Sequence, residues 1–218
     1  MNTLPRWIEY GAFTLALLAG TINSIGLLGF QHQAISHLSG TATLLGTQLW
    51  ALSEISWELF IILASFVFGS MLSGFLLTST SLKLGRHYDS LLLIEGTLLS
   101  LAVYFLNQEA NMGHYLASAA CGLQNALATQ YSGAVIRTTH MTGIFTDLGI
   151  MLGSALRREP FDSRKCRLFF WLILGFILGG SLGAFLFHHL HFNALFAPAF
   201  LCVLLAIAYR IYWQRTLN

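Results

Sequence analysis

His37-Leu38-Ser39-Gly40, with Gly46 six residues beyond its glycine, returns as His140-Met141-Thr142-Gly143, with Gly149 at the same distance. Each copy follows an apolar segment that carries an amide, Asn23 in the first case and Asn125 in the second. A repeat of this kind in a strongly apolar chain decides the reading of the fold. It divides one integral membrane domain, 1–218, into two like-built halves, 1–107 and 108–218.

The composition agrees. Of 218 residues, 56% are apolar and 9% charged, whereas soluble domains carry about 25% charged residues. So few charges cannot build a water-facing surface, and the lipid bilayer must cover most of it. Twenty glycines against three prolines suit close helix packing in lipid. No basic surface interleaved with aromatics is available, which argues against nucleic acid as a partner. Cys121, Cys166 and Cys202 are odd in number and widely spaced. They predict neither a disulfide framework nor a zinc site and read as small apolar side chains.

A spanning helix needs about 20 mostly apolar residues. Six segments qualify, roughly 8–30, 57–78, 89–106, 114–136, 168–187 and 193–212. The first reads as a span and not as a signal peptide, because it is long, lacks a small-residue cleavage site and belongs to the repeat. The basic residues set the orientation. Arg6 precedes the first span, and Lys83 and Arg86 separate the second from the third. Arg137, Arg157, Arg158, Arg164, Lys165 and Arg167 separate the fourth from the fifth, and Arg210 and Arg215 follow the sixth. With six spans all eleven Lys and Arg fall on one face. The positive-inside rule makes that face cytoplasmic, with both termini on it.

Each half then has three spans, an odd number, so the second half enters the membrane from the opposite side. The expected fold is an all-α membrane protein of six transmembrane helices in two inverted three-helix repeats, the first motif toward the outer face and the second toward the cytoplasm. Small residues recur every fourth position in matching spans, Ser65, Gly69 and Ser73 in one and Gly175, Gly179 and Gly183 in the other. Phe66 and Phe75 match Phe176 and Phe185 at an offset of 110. Such stripes let helix backbones approach closely, within one chain or between copies of a homo-oligomer.

After each motif comes an apolar stretch too short to cross alone, Thr41–Leu52 and Ile144–Leu156. Each is expected to form a short extra helix, with Ser39 or Thr142 capping its free N–H groups. Two placements are open. The helices either dip into the protein or lie on the surface as amphipathic linkers. In the first case their N-termini suit a carboxylate, a phosphate or another small polar or anionic solute.

A family resemblance rests on these residues. Gly122-Leu123-Gln124-Asn125-Ala126, then Arg137-Thr138-Thr139-His140-Met141-Thr142-Gly143, then Thr146-Asp147-Leu148-Gly149 is similar to the second-half signature of the YoaK-like bacterial membrane proteins. Ala19-Gly20 through Gly40 resembles the family's other signature, with Asn23 where Asp is usual and Ser39-Gly40-Thr41 where Thr-Gly-Asn is usual. The resemblance implies a multi-pass bacterial inner-membrane protein of about six spans, and no activity.

Function is therefore read from the polar residues. Glu95 falls near the middle of the third span, where a charged group costs about 2.5 to 3.5 kcal/mol on insertion scales. The expected substrate-binding set is Asn23, His37, Ser39, Glu95, Gln124, Asn125, Arg137, Thr139, His140, Thr142 and Asp147, with the site between spans one and four and the two motif helices. Glu95 or Asp147 would carry a coupling proton. The competing reading makes the amides interhelical glue and pairs Arg137 with Asp147. His188, His189 and His191 lack a neighbouring Cys or carboxylate, so no metal is expected. No other cofactor is indicated. Glu54 and Glu58 read as a solvated helix face. No nucleophile elbow, His-Glu-x-x-His or P-loop occurs, so no enzyme is expected. Two functional classes remain: a small-solute transporter or permease with a polar site between the repeats, and a non-transporting scaffold or sensor that binds a partner or lipid.

Overall fold

The computed structural model describes residues 6–29, 37–50, 53–77, 87–132 and 137–217. They form α1 (Arg6–Gly29), α2 (Leu38–Gln48), α3 (Glu54–Leu76), α4 (Tyr88–Leu106), α5 (Met112–Tyr131), α6 (Met141–Leu156), α7 (Ser163–Leu190), a 3-10 turn (His191–Leu195) and α8 (Phe196–Leu217), with no strand among the described residues. Lys83, Arg86 and Leu52 lie outside the described residues.

Four stretches are long and apolar enough to cross a membrane by length and composition: Tyr10–Gly29, Glu54–Leu76, Tyr88–Leu106 and the 53-residue Ser163–Arg215. The last contains both α7 and α8. The sequence reading also counts α5 as a span, yet α5 is not among the four. Its polar residues lower its hydropathy, and its neighbours shield it: Ala117, Ser118, Ala120, Cys121, Leu123 and Gln124 are all buried. A helix surrounded by protein needs no lipid-like surface. The outer helices have one. Phe75 is 81% exposed, and Val67, Phe68, Met71, Phe185 and Phe200 are exposed too. An apolar surface of that extent marks contact with something other than water, and the long apolar helices are compatible with a multi-pass membrane protein.

The helix pairing follows the small residues. α7 runs alongside α1 in the same direction, with Gly175 against Phe13, Gly179 against Leu17 and Gly183 against Thr21. α3 runs alongside α5 in the same direction. The Ser118 hydroxyl donates to the Ile62 carbonyl at 2.8 Å, and the Ser70 hydroxyl to the Gly122 carbonyl at 3.0 Å. α4 runs against α8, since Tyr88 meets Tyr209 with ring centroids 5.7 Å apart while Gly96 meets Ala199. α1 and α5 also run in opposite directions. Ala12 and Ala16 share a core with Leu123 and Leu127, whereas Leu18, Ile22 and Ile25 share one with Ala117, Ala120 and Cys121.

Lipid supplies no hydrophobic drive between helices, so close backbone approach and interhelical hydrogen bonds hold them together. Where Gly20 lacks a Cβ the Phe176 carbonyl stands, and where Gly122 lacks one the Phe66 carbonyl stands. Gly179 meets the Leu17 carbonyl in the same manner, and Gly69 the Ala119 carbonyl. The Thr21 hydroxyl adds a buried bond to the Gly179 carbonyl at 3.1 Å. The stripe Gly175, Gly179, Gly183 is therefore filled by α1 of the same chain. It is not a free face for a homo-oligomer, which is one of the two roles expected of it. Phe75 and Phe185, though matched in sequence, both point outward and take no part in this packing.

Among the described residues, three helices end in a non-glycine residue with positive φ: Glu109 (φ 56°) follows α4, Arg158 (φ 62°) follows α6 and His191 (φ 49°) follows α7. After the first two, the next N–H reaches back five residues, Ala110 to the Phe105 carbonyl at 3.0 Å and Glu159 to the Ser154 carbonyl at 3.1 Å. Those bonds satisfy carbonyls at the helix end that would otherwise have no partner.

Candidate functional site

The two motif helices begin at their histidines. His37 is the N-cap of α2 and His140 that of α6, and neither side chain makes a capping bond. The His37 carbonyl accepts from the N–H groups of Gly40 at 3.0 Å and Thr41 at 3.3 Å, and the His140 carbonyl from that of Ile144 at 3.3 Å. Ser39 and Thr142 were the expected caps. They lie inside the first turn instead, and the Ser39 hydroxyl is 3.3 Å from His37 Nε2.

The glycine of each motif explains this start. A Cβ on Gly143 would collide with the His140 imidazole, and a Cβ on Gly40 would come within 3.1 Å of His37 Cδ2. In both copies the ring folds back over the first turn and rests on the bare glycine. Gly46 and Gly149 have open space where a Cβ would go, so no contact accounts for the second glycine of the repeat.

Both short helices dip inward. The Gln48 carbonyl at the end of α2 accepts from the Ser56 hydroxyl at 3.1 Å, near the start of α3. The first turn of α2, by contrast, faces a cavity lined by Phe66 and Ser70, near the middle of α3. α6 is tied to the start of α7 by Asp147 and Lys165, 3.5 Å apart, and its first turn opens on the same cavity. The expected Arg137–Asp147 pair does not form. Lys165, the closer cation, takes Asp147 while also lying over the Phe169 ring at 5.2 Å.

The cavity has a volume of about 630 Å³, within the usual range for small-ligand sites. Of the expected residues, His37, Ser39, Asn125, Arg137, Thr139, His140 and Thr142 line it. The motif starts thus meet in one space, because each helix points its N-terminus inward. α3 and α5 wall the cavity, and no α1 residue lines it among the described residues, so α3 takes the place expected for the first span.

Asn23, Glu95, Gln124 and Asp147 lie elsewhere. Gln124 Nε2 donates to the Leu15 carbonyl at 3.0 Å and bridges α5 to α1, which is the glue reading. Glu95 is fully buried between α4, α5 and α8, beside the thiols of Cys121 and Cys202. Neither of its carboxyl oxygens has an N–H or O–H partner among the described residues, and the Cys202 thiol is the weak donor beside them.

Charge in the cavity is one-signed. Arg137 is its only described lining residue with a permanent charge, and no described lining residue is acidic. No carboxylate pairs with Arg137 among the described residues. Two other lining residues carry buried amide oxygens that no described group satisfies, Asn125 Oδ1 and Gln130 Oε1. Unsatisfied buried polar atoms in a native fold are few and call for water or ligand. At the far end of α6, outside the cavity, Arg157 hydrogen-bonds Glu159 at 2.9 Å and holds its carboxyl below the usual carboxylate range. No group of three or more metal-binding side chains occurs among the described residues.

A family described as "Protein of unknown function (DUF1275)" matches residues 11–208. The chain belongs to the DUF1275 family. The matched region takes in both motifs and every described lining residue of the cavity. Comparison with curated proteins and with solved structures gives no match. For this DUF1275 chain the sequence reading missed Phe66, Ser70, Thr129 and Gln130 as lining residues. A signal was available for two of them. Thr129 lies four residues after Asn125, one helical turn on, and Gln130 follows it, both polar in an otherwise apolar segment.

Proposed function

We propose that the chain is a small-solute permease of the bacterial inner membrane, YoaK-like within its family and without enzymatic activity. It crosses the bilayer six times as two inverted three-helix repeats, and both termini are cytoplasmic. The observation that carries this reading is the cavity of about 630 Å³ at the meeting point of the two motif starts. Its lining comes from both halves, as expected of a site between inverted repeats that rock about a fixed centre.

Support for the repeat comes from paired contacts. Gly20 on Phe176 and Gly122 on Phe66 are the same contact with the halves exchanged, as are Gly179 on Leu17 and Gly69 on Ala119. Helix directions agree with six crossings. α1, α4 and α7 run one way and α3, α5 and α8 the other, so the basic start of α7 and the basic end of α8 share one face. An open cavity also favours transport over a scaffold, whose helix interface would be filled by side chains.

Uptake into proteoliposomes tests the proposal. A panel of polar solutes is expected to include at least one that enters faster than into protein-free vesicles, and His140→Ala is expected to slow it. A panel with no such solute would overturn the reading. Labelling of single introduced cysteines along α2 and α6 tests the topology, with the two helices expected to be reached from opposite sides.

A further inference from the structure

We infer that the cavity at the motif starts takes a small anion, its carboxylate or phosphate group held by the Arg137 guanidinium between the imidazoles of His37 and His140. The inference rests on the cavity of the proposed permease and names its ligand class. Arg137, His37 and His140 line one space. Arg137 has no carboxylate partner among the described residues, and a guanidinium presents a planar fork of donors that fits carboxylate or phosphate oxygens in two parallel bonds. The cavity also disfavours the opposite charge. Its described walls hold no acidic side chain, so a cationic ligand would face a like charge with nothing to offset it. Asp147, the nearest acidic residue in the motif, is already engaged by Lys165 at 3.5 Å.

Both imidazoles line the same space, and an imidazole carries a ring N–H that an anion can accept from. The described groups around them are polar or apolar and, Arg137 apart, without permanent charge: α3 brings Phe66 and Ser70 and α5 brings Asn125, Thr129 and Gln130.

The same chemistry is offered by a free solute and by an anionic lipid headgroup, and the test separates them. The full chain is reconstituted in phosphatidylcholine nanodiscs, and binding of inorganic phosphate, succinate, choline and glucose is measured by calorimetry. Succinate or phosphate is expected to bind saturably, and choline and glucose are not. Arg137→Gln is expected to weaken the anion at least tenfold with an unchanged unfolding midpoint, and Arg137→Lys less than Arg137→Gln. The His37→Ala/His140→Ala double variant is expected to weaken the anion further at constant pH. In parallel discs containing phosphatidylglycerol, competition with succinate that depends on Arg137 would assign the site to a headgroup, and its absence to a free solute. Binding of choline or glucose as tight as that of the anions, no anion binding in either disc, or anion binding indifferent to Arg137→Gln would overturn the inference. Anion binding without uptake into proteoliposomes would leave the inference standing and remove the permease reading alone.

Discussion

Gly122 lies so close to Phe66 that the Phe66 carbonyl oxygen occupies the place a Cβ would take. Gly20 stands in the same relation to Phe176. Two pairs of long helices, α3 with α5 and α1 with α7, are thereby locked backbone to backbone, and the cavity wall formed by α3 and α5 depends on the first of them.

Methyl groups at these contacts have nowhere to go, because the obstacle is a backbone carbonyl and not a movable side chain. Gly69→Ala and Gly179→Ala are each expected to destabilise the fold by about 1 to 3 kcal/mol, the usual cost of overpacking. Gly180→Ala, on the same helix as Gly179 but with open space at its Cβ position, is the control and is expected to be neutral or slightly stabilising. Denaturant-induced unfolding in mixed micelles checks the contrast, and equal effects at Gly179 and Gly180 would count against the packing.

Within the motif, the two glycines are expected to behave differently. Gly143→Ala drives the His140 ring off the first turn of α6, so ligand binding at the cavity is expected to fall at least tenfold. Gly149→Ala meets no neighbour within 4 Å and is expected to leave binding unchanged while adding up to about 1 kcal/mol of helix stability. Parallel calorimetry on the two variants decides it.

Among the described residues no N–H or O–H donor reaches the Glu95 carboxyl, and the Cys202 thiol beside it is a weak donor. Glu95→Gln conserves its volume and needs no counterion, so the unfolding midpoint is expected to match or exceed that of the original chain, with cavity binding intact. A loss above about 2 kcal/mol would indicate a bond to the carboxyl of the size that buried charged groups make.

The Asp147–Lys165 pair is partly exposed, with side-chain exposures of 47% and 34%. Such pairs contribute at most about 1 kcal/mol, so Asp147→Asn is expected to cost no more than that and to lose the difference in high salt. Double-mutant analysis with Lys165→Met measures the coupling directly.

At the end of α6, Arg158 holds a left-handed backbone (φ 62°) that costs a residue with a Cβ about 1 kcal/mol or more. Arg158→Gly is expected to stabilise the chain by about 1 kcal/mol, read as a higher unfolding midpoint. Glu159 beside it is held below the usual carboxylate range by Arg157. A depressed acid stabilises above its unfolded pKa and ceases to as the pH falls through its folded one. The contact is therefore expected to loosen only in acid, visible as faster amide exchange at Glu159.

Much of the site was legible in the sequence because its parts repeat. Seven expected residues meet in the cavity, and they are the ones in or beside the motif copies together with Asn125. Of the expected residues that lie elsewhere, Asn23 and Asp147 belong to the repeated segments, whereas Gln124 and Glu95 stand out only by their chemistry. Gln124 and Asn125 are adjacent polar amides in one helix, and a helix turns about 100° per residue. One therefore faces α1 and the other the cavity, and nothing in their composition distinguishes them. A carboxylate in an apolar segment is costly, which makes Glu95 conspicuous in the sequence without revealing its neighbours.

The linear chain by itself determined that the molecule is helical and apolar, that a motif occurs twice, and that small residues recur at helical spacing. These are local properties of composition and period. Which stripe meets which helix, and that both motif starts open on one space, were decided only in three dimensions. A glycine permits close approach by any backbone, and the partner is selected by the complementary shape of residues remote in sequence, as Phe66 is for Gly122 and Phe176 for Gly20.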